Sequence, residues 1–323
     1  MSGIVQNSYF FLVMLFTLFS DISYVIKKQQ VPESHRISCP CARENSLIHV
    51  DCASHRYPDG SLGIHDMCFQ VGHREIVAIC GANGSGKSTL LEHLNGLLVP
   101  TSGQVYVMGR PCQEIKSTIW RYVGLIFQRP EDQLFAPTVL DDVMFGPINM
   151  GMSVEQARDT AMNALDHVGA AGLVDKMPNY LSGGQKRLVA IAGVLAMQPV
   201  VICMDEPTSD LDEVHARMVE EIIMETRDVH DISVVIATHD LDLAARLADR
   251  VCIVREGSIV ADGPPRDVFY DPGLIRESGL ALPVIVELYL AFCERTGIVP
   301  AERPLTVGEL LDAIARPSCR SFI

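Results

Sequence analysis

The sequence predicts an α/β fold: a mainly parallel sheet with helices on both faces. Two observations predict it. Three short apolar runs (Glu75 to Cys80, Pro199 to Met204, Val234 to Ala237) each stop at glycine or polar residues, as strands buried on both faces do. Between them lie longer stretches with helical spacing and capping residues, which is the order of strand–helix–strand units. At 323 residues the chain holds one large domain or two modest ones and buries a core without disulfides or metal.

In chain order, Ile48 to Cys52 alternates and predicts a strand. Glu75 to Cys80 follows and ends at a glycine cluster, after which Ser88 to Leu98 reads as a helix. Ser153 to His167 is a helix with a capping box, in which Ser153 caps, Gln156 reaches back and Gly169 closes. After the strands at 199–204 and 234–237, Val251 to Val254 and Ser258 to Ala261 flank a Glu256-Gly257 turn and predict an antiparallel hairpin. Pro283 to Arg295 is a further helix. Thr306 and Glu309 form a second capping box, with Leu305 and Leu310 placed as a hydrophobic staple. The chain thus divides into an N-terminal extension (1–47), a central domain (48–275) and a C-terminal helical appendage (276–323).

Composition narrows the function. Hydrophobic residues make up 48% and charged residues 20%, which rules out wholesale disorder. One strongly apolar run, residues 9–19, rules out a polytopic membrane protein, and its eleven residues fall short of the roughly 20 that a spanning helix needs. Asp21 interrupts it, no basic residue precedes it in residues 1–8, and Lys27 and Lys28 behind it favour a cytoplasmic end. Three readings of the extension stay open: a mis-assigned start or disordered extension, a short membrane-associating segment, and a cleaved signal. Residues 29–46, with Pro32 and Pro40, read as linker. Charge arithmetic gives 26 − 40 = −14, a field that repels nucleic acid. Ten cysteines form no C-x-x-C pair, the closest being Cys39 and Cys41, and Cys80 and Cys203 lie in strand-like runs. They read as small hydrophobes of a reduced intracellular protein. His49, His55, His65 and His73 lack metal-ligand spacing and read as surface residues.

Three motifs carry chemistry. Residues 81–88 fit G-x-x-x-x-G-K-[ST], between a strand and a helix. Gly84 and Gly86 let the backbone curl so that its N–H groups face phosphate oxygens, and the helix that follows adds its positive end. Lys87 supplies a point charge to the β- and γ-phosphates, Ser88 offers a hydroxyl to Mg²⁺, and Thr89 extends the donors. Asp205 and Glu206 end the apolar run at 200–204, where one carboxylate can hold Mg²⁺ and the next can orient or deprotonate a water. Leu181 to Gln185 (LSGGQ) lies twenty residues earlier, and Ser182 is placed to cap a helix whose first turn is bared by Gly183 and Gly184.

With these residues in order, the chain resembles the ATP-binding domain of ATP-binding-cassette (ABC) proteins over about residues 48–275. Gln128, after the apolar run 123–127, is similar to the family's Q-loop glutamine, 209–212 to its D-loop, His239 to its switch histidine and Tyr57 to its adenine-stacking aromatic. The resemblance implies a P-loop NTPase cassette with a mainly parallel core sheet, a small antiparallel β subdomain and an inserted helical signature subdomain at about 128–190. It implies that Tyr57 stacks on the base and that Gly81, Asn83, Gly84, Ser85, Gly86, Lys87, Ser88 and Thr89 bind the phosphates of ATP. Ser88, Gln128 and Asp205 would hold Mg²⁺, Glu206 would act as base, and His239 and Gln128 would complete the catalytic set. Ser182, Gly183 and Gly184 would reach ATP on a second ATPase subunit, a copy or a paralogue. Asp210 departs from the family's alanine.

Within that family, 95 residues between Lys87 and Ser182, with no heptad run, leave no room for the insertions of DNA-repair members, and translation members carry two cassettes. Residues 125–147, with Tyr57 to Gly60, resemble energy-coupling-factor ATPases, and the overall pattern is most similar to the cobalt/nickel import type. That resemblance implies a peripheral protein on the cytoplasmic side of the cell membrane. Its partners would be a transmembrane coupling protein and a substrate-binding membrane component, with no nucleic acid. Phe135 and Phe145 are either apolar contacts for the membrane partner or core packing. Vitamin uptake is the alternative cargo, and action on nucleic acid or ribosomes the more distant one.

Overall fold

The computed structural model describes residues 46–297, 299–300 and 302–315. The apolar run at 9–19, most of the linker, and Cys39 and Cys41 lie outside the described residues. Two sheets organise the rest. The smaller is antiparallel, with order β2-β1-β4-β5, built from β1 (Ile48–Arg56), β2 (Leu62–Val71), β4 (Ser102–Val107) and the two-residue β5 (Arg110–Pro111). The larger sheet comprises β3 (Ile76–Cys80), β6 (Val123–Ile126), β7 (Val201–Asp205), β8 (Ser233–Thr238), β9 (Arg250–Arg255) and β10 (Ser258–Gly263). Its order is β10-β9-β3-β8-β7-β6, parallel except for the edge hairpin of β9 and β10. β3, β6 and β8 are buried along their whole length, which is why their sequences run apolar rather than alternating, save for Ser233 and Thr238 at the two ends of β8.

Helix α1 (Lys87–Leu94) stops four residues short of the expected Leu98. Gly96 takes φ +75°, and the Asn95 side chain leaves the helix to donate to the Val123 carbonyl, a tertiary bond that local spacing does not encode. Helices α2 (Val139–Asn149), α3 (Val154–His167) and α4 (Gly183–Leu195) are inserted between β6 and β7. The capping box of Ser153 and Gln156 forms on α3 as expected. The insert shares one core with the sheet: Leu140, Val143, Leu165, Leu188 and Ile191 join Ile126, Ile202 and Met204 in a single buried cluster. Helix α5 (Glu213–Asp228) closes that face with Val219 and Ile222. On the opposite face Leu90 and Leu94 of α1 pack between Val77 and Val235 and the antiparallel sheet residues Ile48 and Phe69.

A third cluster gathers α6 (Leu241–Leu247), α7 (Pro265–Val268), α8 (Pro272–Glu277) and α9 (Val284–Thr296) around the fully buried Phe269. Helix α10 (Val307–Ala315) docks beside α9 and is tied back by an Arg266–Glu309 ion pair of 2.6 Å. The second capping box is only half made. Thr306 accepts the Glu309 N–H at 3.3 Å, but the Glu309 carboxylate takes the Leu305 N–H and Arg266 instead. Leu305 and Leu310 join different clusters, so the expected staple is replaced by two tertiary contacts.

Two further expectations are corrected. His49 and His55 are buried, because both lie on strand β1 beneath the sheet interface; His65 and His73 are exposed as expected. Cys80, Cys112, Cys203, Cys252 and Cys293 are buried, but Cys52 is exposed at a bulge of β1, with its Sγ 3.2 Å from that of Cys68. Phe269 anchors the third cluster. Phe269→Ala is therefore expected to lower the unfolding free energy by about 3–5 kcal/mol, read by denaturant titration. A loss under about 1 kcal/mol would contradict the packing described.

Candidate functional site

A cavity of about 480 Å³ opens at the carboxyl ends of β3, β7 and β8, where open α/β sheets place ligands. The loop at its floor requires glycine. Gly86 caps α1 at φ +106°, and a Cβ there would meet the Gly63 carbonyl at 2.5 Å; one on Gly81 would meet the Val254 carbonyl at 2.4 Å. The first turn of α1 leaves its N–H groups without helical acceptors, so an anion fits there. Asn83, Gly84, Gly86, Lys87, Ser88 and Thr89 line the cavity. Gly81 and Ser85 do not: the Ser85 hydroxyl is buried against Gly81, behind the loop.

Lys87 donates from Nζ to the carbonyls of Gly81 at 2.7 Å and Ala82 at 3.1 Å, so its charge is held by its own loop. Burial pushes its pKa down, against the pull of Glu206 and Asp205. Opposite, burial pushes Asp205 up, against a hydrogen bond from Ser88. Ser88, Gln128 and Asp205 share one wall of the cavity, and their oxygens form a donor set that suits a hard divalent cation such as Mg²⁺.

Glu206 occupies a left-handed backbone conformation, φ +45°, which costs a non-glycine residue of order 1 kcal/mol or more. Tertiary bonds hold it there. Its N–H donates to the Ala237 carbonyl at 2.8 Å. Its Oε1 accepts the N–H and Nδ1 of His239 at 3.1 and 2.8 Å, and Oε2 accepts the Thr238 hydroxyl at 3.1 Å. The carboxylate is 7% exposed but faces the cavity. Thr238 was not legible as a site residue: a threonine closing an apolar strand carries no signal of its own.

Tyr57 lines the other end of the cavity, and its hydroxyl bonds Thr89 Oγ1 at 2.9 Å. Gly63 lies flat against both; a Cβ there would meet each at 2.9 Å. Behind them sit two buried histidines. His93 bonds the Thr89 carbonyl at 2.6 Å through Nδ1 and His55 Nδ1 at 3.2 Å through Nε2, and the His55 ring stands edge-on to Tyr57 at 4.7 Å. Burial pushes the His93 pKa down to about 4.

The remaining expected residues stand apart. Ser182 caps α4 in a full capping box with Gln185, at 3.3 and 3.2 Å. Ser182 and Gly183 are exposed and, with Gly184, lie outside the cavity. A Cβ on Gly184 would meet the His215 ring at 2.5 Å, and His215 is held by Asp212 at 2.7 Å. Asp210 sits at φ +60°, where aspartate is better tolerated than alanine. Arg187 also escaped the sequence reading. Buried Arg187 forks from α4 onto the carbonyls of Phe127 and Gln128, 2.6 Å each. Its one available signal was a charge adjoining the apolar run 188–192. Phe135 and Phe145 are 67% and 51% exposed and stand edge-to-face at 4.9 Å over a shallow 120 Å³ groove between α2 and α4, so the core-packing alternative falls.

The family model described as ABC transporter matches residues 64–209. The energy-coupling factor transporter ATP-binding protein EcfA of Methanocaldococcus jannaschii is 42% identical over 258 residues, 79% of this chain and 92% of that protein. The protein of the same name from Methanococcus maripaludis is 39% identical over 281 residues, 86% of this chain and 99% of that protein. The structure of cbiO1 from Clostridium perfringens, described as part of the ABC transporter complex cbiONQ, aligns at TM-score 0.65 with 36% identity, over 76% of this chain and 99% of that one. A dimeric post-hydrolysis state of the ATP-binding cassette MJ0796 bound to ADP and Pi aligns at 0.62 with 26% identity, over 68% of this chain and 99% of that one.

The His93 shift sets a pH dependence. An unfolded histidine titrates near 6.5 and the folded one near 4, so the unfolded chain takes up a proton that the folded chain refuses. This stability is full above about pH 6.5 and falls as pH drops towards 4. The melting temperature of His93→Gln, measured from pH 7.5 to 4.5, is expected to fall less steeply than that of the wild type; parallel curves would refute the shift.

Proposed function

This chain belongs to the ABC transporter family, among the energy-coupling factor ATP-binding proteins, and on that premise we propose that two such chains hydrolyse ATP to drive import of cobalt or nickel ions. One observation carries the two-chain reading: Ser182 and Gly183 are exposed at the tip of α4, outside the cavity that holds Glu206. A second chain, a copy or a paralogue, brings the missing helix end. The 48–275 region is the ATP-binding domain, with 128–190 as its helical part, and 276–323 is an appendage.

In this reading Tyr57 stacks on adenine, and the loop from Asn83 to Thr89 wraps the phosphates with backbone N–H groups. Lys87 exchanges its loop carbonyls for the β- and γ-phosphate oxygens. Ser88, Gln128 and Asp205 would hold Mg²⁺, which when bound would neutralise charge on those phosphates. Glu206 takes a proton from the water whose oxygen attacks the γ-phosphorus, and ADP leaves as the bond to its β-phosphate oxygen breaks. His239 and Thr238 hold the carboxylate while it does so. Ser182 and Gly184 of the partner subunit present the α4 N-terminus to the γ-phosphate.

The exposed Phe135–Phe145 pair supports docking to a transmembrane coupling protein, with a substrate-binding membrane component beyond it. In this reading the protein sits peripherally on the cytoplasmic side of the cell membrane. No described helix is long and apolar enough to cross it. The charge of −14 disfavours nucleic acid as the partner. The choice of metal ions over vitamins rests on the likeness of the overall sequence pattern to the cobalt/nickel type.

The test is reconstitution with the co-purifying membrane proteins in vesicles. Uptake of labelled cobalt or nickel driven by internal ATP is expected, and uptake of a vitamin alone would overturn the cargo assignment. In the same vesicles Glu206→Gln should lower kcat by about 10²–10⁴ while ATP still binds; turnover at the wild-type rate would remove Glu206 as base.

A further inference from the structure

Four residues close a ring, and two of them, His55 and His93, have no part in the mechanism above. Tyr57 Oη bonds Thr89 Oγ1, and the Thr89 carbonyl accepts from His93 Nδ1. His93 Nε2 meets His55 Nδ1, and the His55 ring returns to Tyr57 edge-on. The bonds fix both tautomers. A carbonyl can only accept, so His93 carries its proton on Nδ1 and its Nε2 is an acceptor. His55 must then donate from Nδ1, which it shares with the Val99 carbonyl at 3.1 Å. His93 is wholly buried and His55 nearly so. Buried polar groups satisfied in this way hold one geometry, because any rotation strands a donor or acceptor away from water.

The ring also joins two distant parts of the chain. Tyr57 follows β1 of the antiparallel sheet, whereas Thr89 and His93 are one turn apart on α1, the helix that follows the phosphate loop. Gly63 backs both Tyr57 and Thr89, and a side chain there would crowd each of them.

We propose that His93 and His55 are positioning residues for the nucleotide base: they lock Tyr57 to α1 through Thr89, so that the base platform and the phosphate grip are set as one rigid unit. The proposal rests on the reading of Tyr57 as the adenine platform. Neither histidine lines the cavity, so they act through Tyr57 and Thr89. A residue holding only the fold would weaken every ligand of the site alike. A residue positioning the base platform weakens ligands that carry a base and spares those that are phosphate alone.

The test is calorimetric titration of the full chain with Mg-ATP and, separately, with Mg-tripolyphosphate, which has the phosphates and no base. His93→Leu removes both ring bonds and is expected to weaken ATP about tenfold while tripolyphosphate stays within about twofold. His93→Gln restores one donor and one acceptor and should recover most of the ATP affinity. Should His93→Leu fail to fold, Tyr57→Phe, at a half-exposed position, deletes only the hydroxyl and should weaken ATP about threefold, again sparing tripolyphosphate. Equal losses for both ligands, or unchanged ATP affinity in a folded variant, overturn the proposal. A wild-type chain that binds tripolyphosphate and ATP equally well would instead overturn the platform reading of Tyr57 on which it stands.

Discussion

Arg187 reaches from α4 to the backbone of residues 127 and 128, and two 2.6 Å bonds from one planar guanidinium leave little freedom between them. Its charge is buried, which pushes its pKa down, with Asp205, Glu131 and Asp210 opposing. Those carboxylates and the two carbonyls are what make burying it tolerable. The consequence is mechanical. Gln128 lies on the wall of the cavity, and Ser182 caps the exposed N-terminal end of the same helix, one to two turns before Arg187. A displacement at the tip of α4 therefore reaches Gln128 without passing through a flexible segment. The His215 ring, pressed on Gly184 and held by Asp212, links the same helix to the loop after Glu206.

The second constraint is the backbone at Glu206. A left-handed glutamate is tolerated because Ala237, Thr238 and His239, all at the end of neighbouring β8, satisfy its N–H and both carboxylate oxygens. Parallel pairing of β7 with β8 puts those residues side by side, so the sheet register sets the base. The same sheet places β3, and hence the phosphate loop, on the other side of β8. Loop, acid and histidine thus owe their proximity to strand order rather than to any local contact.

What the sequence disclosed follows from this. The strands were legible because a sheet covered on both faces needs apolar residues throughout. The phosphate loop was legible because Gly86 and Gly81 face backbone carbonyls that exclude any Cβ. The caps of α3 and α4 were legible because a capping box is local. The failures are all long-range. Arg187 finds its acceptors about sixty residues away, and His55 finds His93 38 residues away. Neither spacing leaves a pattern, so His55 read as a surface residue. Asn95 ended α1 early by bonding β6, and Arg266 drew Glu309 out of its capping box. In each case a tertiary partner outcompeted the local preference.

The central claim is that each ATP is held between two chains, with loop and base from one and the α4 tip from the other. Mixing two inactive variants tests it most directly. Lys87→Ala disables the loop and Ser182→Arg blocks the tip, so either alone should be without ATPase activity. A mixed dimer contains one site built from the intact loop of one chain and the intact tip of the other. The account predicts that mixing restores hydrolysis, to about a quarter of the wild-type sites if pairing is random. Activity that stays absent in a demonstrably mixed dimer, or Ser182→Arg that hydrolyses ATP on its own, would contradict it.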